Sequence, residues 1–257
     1  MLKNSNKKLE TAIILGLSVV LVVTLIIGIV KDRNLTEKNT EEYNEFMVEY
    51  EANKKKDKSD QTLTDNLYNK LRKKEDVKIL ILGDGIVSTQ TIGSENGIFG
   101  EGVKKVIETT YGSKVELKLL AKNGASSEVG VETVKNNDIS GYDLVIICYG
   151  HNDNETGILP EKFKDNYQEI VDEIKKANPN ATIIPIVPST LDSDNKYSNV
   201  IKEVSNSNEL NFADMKLGFV ESNLGEYNLG NGGFPNDAGY NLYIESIGKI
   251  IEENIKE

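Results

Sequence analysis

The stretch VKILILGDGIVSTQ, residues 77–90, decides how this chain is read. Val77, Ile79, Leu80, Ile81 and Leu82 make a short apolar run without alternation, the pattern of a strand covered on both faces in a parallel sheet. Gly83, Asp84 and Gly85 end the run with a turn composition. In open α/β sheets ligands sit at the carboxyl ends of the strands, so position 85 faces the site. A catalytic side chain belongs there, and the residue is glycine.

Downstream the pattern alternates. Strand 77–82 leads to a helix around 100–110, a strand at 115–120, and a turn at Asn123-Gly124 that opens a helix near 126–135. A strand at 144–149 precedes a helix from Pro160 to Ala177, with Pro160 suited to the first turn. Strand 182–187, a helix near 197–204, a short strand around 210–213 and a closing helix at 237–253 complete the order. Such alternation predicts an α/β fold: a three-layer, doubly wound parallel sheet of about five strands, joined by right-handed crossovers. The domain is expected to span 77–257.

Upstream, residues 1–10 form a short polar tail, followed by the uncharged 20-residue run TAIILGLSVVLVVTLIIGIV at 11–30. That length crosses a bilayer core as one helix. Lys31, Asp32 and Arg33 follow it in place of a small-x-small cleavage pattern, which predicts a retained single-pass anchor. Lys3, Lys7 and Lys8 nearly balance Lys31, Arg33 and Lys38. The amino terminus tips the count toward a cytoplasmic tail and an extracytoplasmic domain. Residues 31–76 read as a polar tether of helical tendency. Tyr43, Phe46, Met47 and Tyr50, then Leu63, Leu67 and Leu71, recur at helical spacing, a face for the domain, another copy or a protein partner.

A net charge of −11 argues against nucleic acid as a partner, because that binding rests on neutralising phosphates. The single cysteine, Cys148, lies within an apolar strand and reads as a buried structural thiol. No P-loop, dinucleotide fingerprint or paired-cysteine motif is present, so no cofactor is expected. Asp84, His151 and Asp153 are weak metal ligands on this pattern, and none is assigned to a metal.

Three more loops fall at carboxyl ends of strands: Asn123-Gly124, Tyr149-Gly150-His151-Asn152-Asp153, and Asn231-Gly232-Gly233-Phe234-Pro235 before the last helix. With Gly83-Asp84-Gly85 they resemble the four sequence blocks of the SGNH/GDSL hydrolases. Gly150-His151-Asn152-Asp153 matches that family's G-x-N-D, and Phe234-Pro235-Asn236-Asp237-Ala238-Gly239-Tyr240 matches its H-P-N-D-A-G-Y ending. The resemblance implies a flavodoxin-like sheet and hydrolysis or transfer of acyl esters. It also implies an oxyanion hole of Gly85, Gly124 and Asn152, and structural roles for Asp84 and Asp153.

The same resemblance places Gly85 at the nucleophile position, Asn231 at the aspartate position and Phe234 at the histidine position. Glycine cannot attack a carbonyl, and a phenyl ring cannot take its proton. Three readings follow. The first is a pseudoenzyme that binds an acylated or acidic envelope glycan, or a protein partner. The second is a weak esterase or O-acyl transferase using a displaced pair, Ser88 and His151, the latter being the chain's one histidine. The third is a scaffold of an envelope complex. For His151 alone the sequence suggests a surface or loop-packing role.

Overall fold

The computed structural model describes residues 66–89, 97–192, 194–221 and 234–255. The chain divides into compact units Met1–Thr62 and Leu63–Glu257, and every described residue lies in the second. The anchor at 11–30 and the aromatic stripe of the tether lie outside the described residues. Among the described residues no helix is long and apolar enough to cross a membrane.

The folded unit starts ahead of Val77. Helix α1 (Leu67–Lys73) is capped by Asn66, whose side chain accepts the Asn69 N–H at 3.0 Å. It buries Leu67 and Leu71 completely or nearly so. Burying one such leucine is worth roughly 1.5–3 kcal/mol, which explains why the end of the tether joins the domain.

The remaining elements are β1 (Val77–Gly83), α2 (Gly85–Ser88), α3 (Gly97–Tyr111), β2 (Val115–Ala121), α4 (Ser127–Asn136), β3 (Leu144–Cys148) and α5 (His151–Thr156). They continue with α6 (Pro160–Ala177), β4 (Thr182–Val187), α7 (Lys196–Ser207), β5 (Ala213–Asp214), α8 (Met215–Glu221) and α9 (Asp237–Ile255). All strand pairs are parallel, in the order β2-β1-β3-β4-β5. That is the flavodoxin-like order, whose direction reverses between β1 and β3.

Because side chains alternate along a strand, the sheet feeds two cores. Ile79, Ile81, Ile146, Cys148, Ile184 and Ile186 pack under α1, α3, α8 and α9. Leu80, Leu82, Val145, Ile147, Ile183 and Val187 pack under α4, α6 and α7. This is why the β1 and β3 runs carry no polar alternation.

The expected strand at 210–213 is shorter and later than read. Leu210 instead closes α7: its N–H reaches Ser205 O at 2.9 Å and Glu209 N–H reaches Asn206 O at 3.0 Å, with Glu209 at φ 58°. This is a Schellman ending, which takes an apolar residue just where Leu210 stands. The loop expected at 149–153 also turns into helix α5. Gly150 permits it at φ 124°, where a Cβ would come within 3.3–3.4 Å of Leu191, Ile201 and Phe163.

Candidate functional site

The strand register sets the site. Gly83 at the end of β1 lies level with Ala121 of β2 and Cys148 of β3. Residues just past those ends therefore share one rim, at the point where the sheet reverses direction and ligands of such folds sit.

Gly83 itself has no room for a side chain, since a Cβ would fall 2.4 Å from Val87 Cγ2 and 2.7 Å from Cys148 O. Asp84 then caps α2, its Oδ1 accepting the Ile86 N–H at 2.9 Å. Tyr240, from α9, donates its hydroxyl to Ile86 O at 2.6 Å. Asn236 accepts the Gly239 N–H at 3.0 Å and starts that helix. In this way the last sequence block is tied to the first.

Gly85 is buried at the start of α2, so its N–H is one of the donors a helix leaves without an internal partner. The space a side chain at position 85 would fill is already taken. A Cβ there would lie 2.5 Å from Asn123 Oδ1 and 2.9 Å from Phe234 Cζ, below any ordinary contact. The half-buried Phe234 ring also packs edge-on to His151, with centroids 5.2 Å apart and planes at 63°. Gly124 is exposed at φ 78° with open space where a Cβ would stand.

His151 is buried, and its Nε2 faces Glu155 Oε1 at 3.5 Å. Ser88 Oγ is turned to Gly85 O at 3.5 Å, and Thr89 Oγ1 donates to the same carbonyl at 2.8 Å. Ser88 and His151 thus each face a neighbour of their own short helix. Asn231 lies outside the described residues.

Asp153 and Asn152 leave α5 toward different partners. Both Asp153 oxygens accept the Ser127 N–H at 3.0 Å, and Oδ1 also takes the Ser127 hydroxyl at 2.6 Å. Asn166 Nδ2 donates to that hydroxyl at 3.0 Å, linking α6. Burial raises the Asp153 pKa and the Ser127 donors oppose that rise. Asn152 is 8 % exposed, and its Nδ2 has no hydrogen-bond partner.

Asp84 lies alongside. Its Oδ2 is buried with no hydrogen-bond partner either. Burial, reinforced by the charge of Asp153, lifts its pKa to about 7, against the pull of the Ile86 N–H, the Asn152 amide and the His151 N–H. The Asn152 amide is therefore near enough to favour the ionised carboxylate while completing no close bond to it. Among the described residues no three His, Cys, Asp or Glu side chains could hold a metal ion. The oxygens of Asp153 are committed to Ser127.

Asn123 and Glu155 are contributors that the sequence reading passed over. Asn123 sat inside an Asn-Gly turn signal, and nothing in the local sequence tells that its side chain covers Gly85. Glu155 follows His151 at helical spacing, a pairing visible only once α5 is known to be a helix.

Comparison with known proteins gives the same outline. A lipase/acylhydrolase from Enterococcus faecalis is 24 % identical, covering 69 % of this chain and 96 % of its own, with a TM-score of 0.58. An acetylxylan esterase from Geobacillus stearothermophilus, solved as a catalytic mutant, is 17 % identical over 68 % of this chain and 94 % of its own, also at 0.58. A two-domain esterase active on acetylated mannans is 18 % identical over 74 % of this chain, which spans 52 % of that one, at 0.60. No curated protein matches the sequence. The family model for GDSL-like lipases and acylhydrolases matches residues 61–242, and the chain belongs to that family.

Proposed function

We propose that this protein is a membrane-anchored, extracytoplasmic member of the family that binds an acyl or carboxylate group without cleaving it. The observation that carries the reading is the seat at position 85. Asn123 Oδ1 and Phe234 Cζ occupy the volume where the family's nucleophile would start, so an added side chain there must displace both. The loss of the serine is thus matched by neighbours from two other loops. Meanwhile the Asn152 amide keeps a free donor, and Gly85 and Gly124 keep backbone N–H groups on the same rim. Donors of this kind hold a carbonyl or carboxylate oxygen whether or not chemistry follows. The uncharged run at 11–30 supplies the anchor.

An acylated or acidic glycan of the cell envelope is the ligand class we put forward, because two similar folds belong to esterases of acetylated polysaccharides. An esterase built on Ser88 and His151 has less support, since those side chains face Gly85 O and Glu155. The test is binding of full-length protein in detergent to acetylated and chemically deacetylated xylan and mannan oligosaccharides. The expected result is retention on the acetylated forms, weakened at least about tenfold by Asn152→Ala, the worth of one well-made hydrogen bond in a dry site. Equal retention of both forms, or binding indifferent to Asn152, overturns the ligand assignment.

A further inference from the structure

The rim holds two buried polar atoms that complete no close hydrogen bond. Asp84 Oδ2 and Asn152 Nδ2 are both buried without a hydrogen-bond partner, and the two side chains are neighbours. A buried donor and a buried acceptor left unmet are each costly, typically about 1–3 kcal/mol. Their proximity gives each an alternative: to close on the other, or to wait for something else.

We propose that Asp84 and a bound ligand oxygen compete for the Asn152 amide, so that the charge carried by Asp84 sets how strongly the site holds its ligand. This rests on the reading of Asn152 as a ligand donor and adds the regulation of that same site. Ionised Asp84 draws the amide N–H toward itself and repels an incoming carboxylate. Protonated Asp84 has a weaker claim on the amide, which then serves the ligand.

The surroundings fit a carboxyl poised to change charge. Burial disfavours the ionised form, and Asp153 on α5 adds a like charge. Cys148 and Tyr149 at the end of β3, Tyr167 on α6, and Tyr240 and Tyr243 on α9 also sense Asp84, and all of them are acids. His151 reaches it through its backbone N–H, while the ring faces Glu155 and Phe234. None of the groups that act most strongly on Asp84 is a Lys or Arg. With a pKa raised to about 7, Asp84 changes state near neutrality.

The test follows acetate binding to the full-length protein by saturation-transfer NMR between about pH 5.5 and 8.5, together with the Asn152 side-chain amide resonance in the absence of acetate. In the wild type the acetate Kd should rise about tenfold across that range, and the amide resonance should shift with the same midpoint. Asp84→Asn keeps the cap on Ile86 and should bind with one affinity throughout, its amide resonance fixed. His151→Gln should leave the wild-type midpoint in place. An amide resonance that does not move in the wild type overturns the inference, as does a pH profile that survives Asp84→Asn or vanishes in His151→Gln. Should acetate fail to bind at any pH, the ligand reading falls, and the resonance alone still decides whether Asp84 governs the Asn152 amide.

Discussion

Two buried carboxyls stand a few residues from the same strand ends, and the fold treats them differently. Asp153 is met on both oxygens by Ser127, which Asn166 steadies in turn. Asp84 completes a close bond on one oxygen only, to the Ile86 N–H, with the Asn152 amide beside it and likewise without a close partner. Native interiors rarely leave such groups unmet. The contrast separates a joint that holds α4, α5 and α6 together from a rim whose bonding capacity is kept open.

The largest expected effect lies at the joint. Asp153→Ala should destabilise the domain by about 3–5 kcal/mol in urea unfolding, because it strands the Ser127 donors in the core. A loss no larger than that of a rim variant would erase the contrast. Next comes a pH effect. The folded-state pKa of Asp84 is raised from 3.8 to about 7, so its contribution to stability is full below about 3.8 and lost as pH rises through about 7. Wild-type unfolding free energy should therefore fall by on the order of a few kcal/mol between those limits, and Asp84→Asn should remove most of the slope. An unchanged slope in that variant would assign the titration elsewhere.

Gly85→Ser tests the filled seat. Its Cβ meets Asn123 and Phe234, so the expected cost is about 1–3 kcal/mol. Adding Phe234→Ala should recover part of that cost, giving a coupling of about 0.5–3 kcal/mol in a double-mutant cycle. Strict additivity would mean the two positions do not share the space. Smallest in cost, Asn152→Ala should not lower stability and should raise it by about 1 kcal/mol, since it removes a buried donor that completes no internal bond.

The sheet was legible because burial on both faces leaves β1, β3 and β4 as unbroken apolar runs, and because Pro160 and the long amphipathic helices punctuate them. Leu67 and Leu71 announced α1 by their spacing, and that helix packs into the core ahead of Val77. Short helices were harder. α5 consists of His-Asn-Asp-Asn-Glu-Thr, with no apolar period, and exists because Gly150 can adopt φ 124° and Gly157 can end the turn at φ 70°. Leu210 looked like a strand residue because a Schellman closure and a strand both ask for one buried apolar side chain. The blocks around Gly85, Asn152 and Phe234 could be ordered from sequence, whereas the covering of Gly85 by Asn123 is a contact between strand ends that only the register brings about.

Ester turnover by the full-length protein decides the central claim. With p-nitrophenyl acetate as substrate, the wild type should release no product above buffer, whereas Gly85→Ser, Asn231→Asp and Phe234→His combined should gain hydrolysis. Turnover by the wild type that disappears in Asn152→Ala would contradict the account.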